Sequence, residues 1–276
     1  TALRFLNDAQ ASTGACRNHM DSAGRWVGEP TVGDAWGRCI WGLGTAAAHS
    51  NLAWTRHTAI AQFECAAQER SDQPRAMALA ALGAAELLAL DPAQRRARAL
   101  IADYAALAPC ANDDAVWPWP EPRLTYANAV VPEAMNAAGV ALDDSTLRRS
   151  GLDLLAWLLA FETGDGHLSP TPATGRGLEE ARPGFDQRPT EVAALADACA
   201  RAANIDPDPI WRCGVRAAAD WFMGDNDAGE PMWDPRTGGG YDGLHADGVN
   251  NDQGAEAAVS VISTLQHSRR LSTARQ

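Results

Sequence analysis

The residues of this chain that could do chemistry gather in five short polar clusters. The longest lies near the end, where Gly238-Gly239-Gly240-Tyr241-Asp242-Gly243-Leu244-His245 continues through Asn251, Gln253 and Glu256 into an apolar run of small residues. The others are Asp34 with Trp36 and Arg38; Gln73 with Arg75; Trp117, Trp119, Glu121, Arg123, Tyr126 and Asn128; and Asp186, Gln187 and Glu191. Carboxylates, amides, arginines and indole rings together suit a sugar, whose hydroxyls need paired donors and acceptors and whose C–H face needs a flat apolar surface. Cleaving a glycosidic bond further requires two carboxyl groups on opposite sides of it. The expected catalytic pair is drawn from Glu121, Asp186 and Asp34. Trp36, Arg38, Trp119, Arg123, Tyr126, Asn128, Gln187, Glu191, Tyr241, Asp242, His245, Asn251, Gln253 and Glu256 are the expected substrate-binding set. Which carboxyl is acid and which is base stays open.

Each cluster also has a purely structural reading. Asp34 can cap a helix and pair with Arg38 one turn later; Asn250 or Asn251 can cap the last helix. Trp117 and Trp119, flanked by prolines, can form a packed rim. Other chemistries are poorly served. There is no GxSxG, no GxxxxGK[ST] and no DxDD. Cys16, Cys39, Cys65, Cys110, Cys199 and Cys213 lack any zinc-ligand spacing; four of them lie inside helical patterns and read as buried free thiols, which points to a reducing compartment. The segment Asp225-Asn226-Asp227-Ala228-Gly229-Glu230 lacks the full calcium-loop register. No metal and no cofactor are expected.

The net charge is −12 and the chain has no lysine, which argues against nucleic acid and anionic membrane surfaces as partners. No apolar run reaches the roughly 20 residues that cross a bilayer. A start at Thr1 suggests a processed or excised domain.

The elements that must position these clusters are helical. Ala-rich segments with apolar residues at helical spacing recur throughout and strand signals are nearly absent, so the fold class is all-α. The spacing predicts helices over residues 2–9, 34–48, 52–68, 75–90, from Asp91-Pro92 to 107, from the proline-rich lead at 117–128 to 142, 146–161, 187–203, from Asp206-Pro207 to 221 or 223, and 251–265. Pro132 predicts a kink or a late start. The loop at 163–183, rich in glycine, is long enough to act as a functional cover. Helices led by long polar loops carry small Ala and Gly faces, while their partners carry bulkier Leu and Trp. Small-faced helices can pack side by side within a ring covered outside by the amphipathic ones. The expectation is an (α/α) toroid, or barrel, of five to six helical hairpins, forming a single domain over 1–276, with either N-terminal helices missing or a smaller ring. All the long loops would then share one face.

With these residues in view, the chain resembles bacterial (α/α)-toroid domains of carbohydrate-active proteins, of the kind attached to or encoded beside group-1, family-4-type glycosyltransferases. The likeness rests on Asp34-Ala35-Trp36-Gly37-Arg38 with Trp41-Gly42-Leu43-Gly44, and on the runs at 117–128, 185–191 and 241–256. It implies a toroid and an oligosaccharide ligand, with a glycosyltransferase as the candidate protein partner. The first expectation is a cytoplasmic glycoside hydrolase, with phosphorolysis second to hydrolysis. The alternatives are a non-catalytic saccharide-binding or scaffold domain, and a sugar epimerase or isomerase for which His245 and His167 are the candidate bases.

Overall fold

The computed structural model describes residues 2–109, 114 and 116–273; Cys110 lies outside the described residues. Among these, ten helices follow in order: α1 (Ala2–Ala9), α2 (Asp34–His49), α3 (Ala53–Ala66), α4 (Pro74–Leu90), α5 (Arg95–Leu107), α6 (Val130–Ala141), α7 (Ser145–Phe161), α8 (Pro189–Ala202), α9 (Pro209–Phe222) and α10 (Ala255–Thr273). Three antiparallel ribbons stand between them: β1 (His19–Met20) with β2 (Trp26–Val27), β3 (Thr163–Gly164) with β4 (His167–Leu168), and β5 (Gly243–His245) with β6 (Gly248–Asn250). Strands of two or three residues are too short for an alternating pattern to register in sequence.

Local chemistry explains where the helices begin. Pro132 falls in the first turn of α6, where a missing N–H costs no helical hydrogen bond, so the helix starts late and runs on past it. The helix expected from Asp91-Pro92 begins instead at Arg95, because Asp91 folds back: its Oδ1 accepts from Ala93 N at 3.0 Å and its Oδ2 from Gln94 Nε2 at 3.1 Å. The start of α9 shifts in the same way, to Pro209, with Asp208 as the cap accepting from Ile210 N at 2.9 Å.

The chain divides into two compact units, Thr1–Pro109 with Ala134–Arg149, and Cys110–Glu133 with Ser150–Gln276. In the first, α2 packs along α4, with α3 against α2 and α5 against α4. The α2–α4 contact is backbone on backbone. A Cβ on Gly44 would meet Gly83, and one on Gly83 would meet Ile40 and Trp41. α4 is buried around its whole circumference from Ala76 to Ala85, as expected of a helix that is apolar on every side. In the second unit α8 packs on both α9 and α10, which also touch each other. The residues 163–183 are tied down. Arg176, 1% exposed, donates to the carbonyls of Ser169 (3.1 Å) and Pro170 (3.2 Å), and its backbone bridges to Leu124. Buried Glu162 accepts from Thr171 N at 3.0 Å and Thr171 Oγ1 at 2.6 Å.

Among the described residues no helix is long and apolar enough to cross a membrane, and no group of three His, Cys, Asp or Glu is placed to hold a metal ion. Cys16, Cys39, Cys65, Cys199 and Cys213 are free thiols.

Candidate functional site

Within the second unit the segment leading into α8 runs beside the ribbon leading into α10. Gln187 and Leu244 exchange backbone hydrogen bonds (N to O at 3.0 and 2.9 Å), laying residues 186–188 along β5. β6 then delivers the chain to the start of α10. Between these two helix N-termini lies a cavity of about 430 Å³, lined by Asp186, Arg188, Pro189, Thr190, Asp242, Asn250, Gly254, Ala255, Glu256 and Ala257. The volume falls within the range of small-molecule sites. The first turns of both helices line the same region, and the N–H groups that such turns leave unpaired favour ligand oxygens.

Asp186 is the distinctive group. Its Oδ1 is buried and has no hydrogen-bond partner among the described residues, while its Oδ2 lies 3.9 Å from Arg188 Nε. The backbone of Asp186 is held by Ala173 N, which donates to its carbonyl at 2.8 Å. Gly243 makes room for the carboxylate, since a Cβ there would collide with Oδ1. Asp242 Oδ1 accepts from Gly254 N at 2.7 Å and so ties the ribbon to the first turn of α10. Glu256 lies within that first turn and is exposed. Three carboxylates thus share the cavity with one arginine. Proton transfer to and from a polyhydroxy ligand is the chemistry such a set can do.

The other residues singled out in the sequence divide by what holds them. Gln187 is fully buried; its Nε2 donates to Asp227 Oδ2 at 2.5 Å and to Gly184 O at 3.0 Å. Asp227 also meets His167 Nε2 at 3.0 Å, so His167 sits in this supporting network. Glu191 crosses to the turn before α6, where Oε1 accepts from Ala127 N at 2.7 Å and Oε2 from Asn128 N at 3.4 Å. Asn128, 1% exposed, accepts from Thr125 N at 3.0 Å. Trp119 is fully buried and stacks on Trp157 at 6.1 Å between centroids. Glu121 accepts from Trp119 Nε1 at 3.4 Å, and its carbonyl accepts from Trp117 Nε1 at 2.8 Å. Arg123 forms a two-pronged ion pair with Glu180. Gln253 accepts from Thr237 Oγ1 at 2.8 Å. Tyr126 and Asn251 are exposed, Tyr241 and His245 half-buried, and none of the four lines the cavity. In the first unit Trp36 is fully buried, donating to Ala66 O at 3.0 Å. Asp34 heads α2 with a buried Oδ1 that has no partner among the described residues, and Arg38 is exposed one turn later.

Arg188, Thr190 and Asn250 line the cavity without having been singled out as binding residues. Their signal was adjacency to Asp186 and Asn251 at helix starts, where a capping role reads equally well.

Scanned against protein-family models and against curated proteins, the chain matches none. Among solved structures it is similar to the crystal structure of a D-mannose isomerase, with a TM-score of 0.68 and 12% identity, covering 98% of this chain and 80% of that one. At that identity the likeness shows the fold. It lends no support to an association with glycosyltransferases.

Proposed function

We propose that this protein is a sugar-processing enzyme, an aldose–ketose isomerase or epimerase in preference to a glycoside hydrolase, with its active site in the cavity between the starts of α8 and α10. The carrying observation is the carboxylate of Asp186, one oxygen of which is buried in the cavity wall without a partner. Such an oxygen is costly to bury, so stability alone does not explain a carboxylate at this place in the cavity wall. The fold shared with a D-mannose isomerase supports isomerisation over cleavage. The proposal takes the chain as a single domain and, from the side-by-side packing of alternate helices inside each unit, as an (α/α) toroid.

In the proposed reaction a carboxylate removes the proton from the carbon beside the open-chain carbonyl and returns it to the neighbouring carbon. A second acidic group moves the hydroxyl proton between the two oxygens. Asp186 is assigned the carbon proton, Glu256 and Asp242 the oxygens, and Arg188 and Asn250 hold the remaining hydroxyls. No role in this cavity is assigned to Asp34, Arg38 and the remaining residues of the predicted set, none of which lines it.

D-Mannose incubated in D₂O is expected to yield ketose with deuterium at C1, and aldose re-formed by the reverse reaction to carry deuterium at C2. Asp186→Asn should lower the rate by roughly 10²–10⁴-fold, the usual contribution of a positioned base, with the helical circular dichroism unchanged. Full activity in that variant removes Asp186 from the chemistry. Reducing sugar released from an oligosaccharide without deuterium exchange would restore the hydrolase reading, and oligosaccharide binding without turnover the scaffold reading.

A further inference from the structure

A second cavity, of about 250 Å³, lies in the second unit between α9 and the last turns of α10. Arg212, Cys213, Val215 and Arg216 line it from α9; Ser268, Leu271 and Ser272 line it from α10. Among the described residues no carboxylate lines it. Arg212 and Arg216 are one helical turn apart, so their side chains run together over the same opening. Both are exposed, and neither has a hydrogen bond or ion pair to any described residue. Arg70, Arg96 and Arg201, by contrast, are each paired: Arg70 sits on Asp103 at 2.7 Å, Arg96 on Glu64 at 2.8 Å and Arg201 on Glu133 at 2.9 Å. Arg269 and Arg270, next to the α10 lining residues in sequence, are exposed as well. In a chain of net charge −12, two arginines thus share the wall of one cavity.

The geometry points to a binding site for a small dianionic oxyanion, a phosphoryl or sulfuryl group, held by the Arg212 and Arg216 guanidinium groups. Two parallel N–H forks and two charges match a tetrahedral dianion better than a carboxylate, which one arginine satisfies. Ser268 adds a hydroxyl donor; the Ser272 hydroxyl is engaged, donating to Ser268 O at 2.8 Å, and would have to turn to serve an anion. Val215, which is buried, and Leu271 give the floor an apolar surface, room for the carbon part of a phosphorylated small molecule. The negative end of α10 opposes an anion here, but that partial charge is smaller than the two full charges facing it. The volume lies below the usual range for larger ligands, which limits the occupant to a small one. This site is separate from the cavity assigned to sugar turnover and does not depend on that assignment.

Cys213, the exposed thiol in the wall, supplies the readout. The test measures maleimide labelling of Cys213 by peptide mapping, with inorganic phosphate, sulfate or a hexose phosphate added at ionic strength held constant with sodium chloride. Saturable protection is expected, about tenfold at ten times the dissociation constant, together with a rise in melting temperature. Arg212→Gln/Arg216→Gln should abolish both effects while retaining the far-ultraviolet spectrum. Arg212→Lys/Arg216→Lys, which keeps the charge and loses the forks, should bind several-fold more weakly. Tighter protection by the hexose phosphate than by phosphate identifies a phosphorylated metabolite as the ligand; equal protection identifies the free ion. Protection that does not saturate, that chloride matches, or that survives in the double glutamine variant overturns the proposal.

Discussion

Glu162 is a carboxylate buried to 2% exposure, and burial pushes its pKa up, opposed by the two hydrogen bonds from Thr171 and by the nearby Arg176. A raised acid pKa means that the folded state holds a proton the unfolded chain has already released. Stability should therefore fall as pH rises from the ordinary carboxylate range through the raised value, and be unaffected below it. Glu162→Gln keeps an acceptor for both Thr171 donors and removes the charge. Thermal melts across pH 4 to 8 should show that slope in the parent and a smaller one in the variant; identical slopes would place the proton elsewhere. Glu191 carries the opposite lesson. Its carboxylate serves two backbone N–H groups before α6, so Glu191→Ala should cost about 1–3 kcal/mol in urea unfolding, as buried donors left unpaired do, and Glu191→Gln less. Both roles depend on partners remote in sequence, which is why Glu191 reads equally well as a sugar ligand from its position alone. Asp186 was legible because an acid stands three residues before a helix-opening proline. The support beneath it was not, since Gln187 meets Asp227 only after a 40-residue detour.

Helices were legible as elements because apolar spacing and small residues mark them locally, and α2, α7 and α8 start within two residues of the periodic pattern. Boundaries failed where a single aspartate chose a turn over a helix, at Asp91 and Asp208. The ribbons went unseen altogether, although β5–β6 is what carries Asn250 and the α10 start to Asp186. Pairing of small-faced helices was readable from Gly44 and Gly83, and the contact between them is testable. Gly83→Ala places a methyl group against the Ile40 carbonyl of α2, and overpacking of that kind typically costs 1–3 kcal/mol or more when backbone must yield. A lowered urea midpoint is expected for Gly83→Ala. Gly42→Ala, whose added Cβ would find Leu6 Cδ1 at an ordinary 3.9 Å, should be neutral or stabilising, because the change favours the helix. Equal effects of the two substitutions would show that the α2–α4 approach is looser than described.

At the scale of the whole molecule, composition excludes more than it selects. A charge of −12 without a single lysine turns away polyanions, yet it names no sugar. The sequence pattern pointed to sugar chemistry through five scattered clusters, and the structure gathers Asp186, Asp242 and Glu256 from two of them around one cavity. The charge bears on turnover through long-range steering. A neutral hexose feels no net force from an acidic protein, whereas an anionic sugar is repelled at low salt and released from that repulsion as the screening length shrinks. With D-mannose as substrate, kcat/KM should therefore stay within about twofold between about 20 mM and about 500 mM sodium chloride. With a hexose phosphate, any turnover should rise over the same range, even though phosphate held at the Arg212–Arg216 cleft would loosen. A steep fall with salt for the neutral sugar would mean that an ion pair inside the active site, such as Asp186 with Arg188, must persist for catalysis. Asp186 would then be locked to the arginine and unable to act as the free base assigned to it.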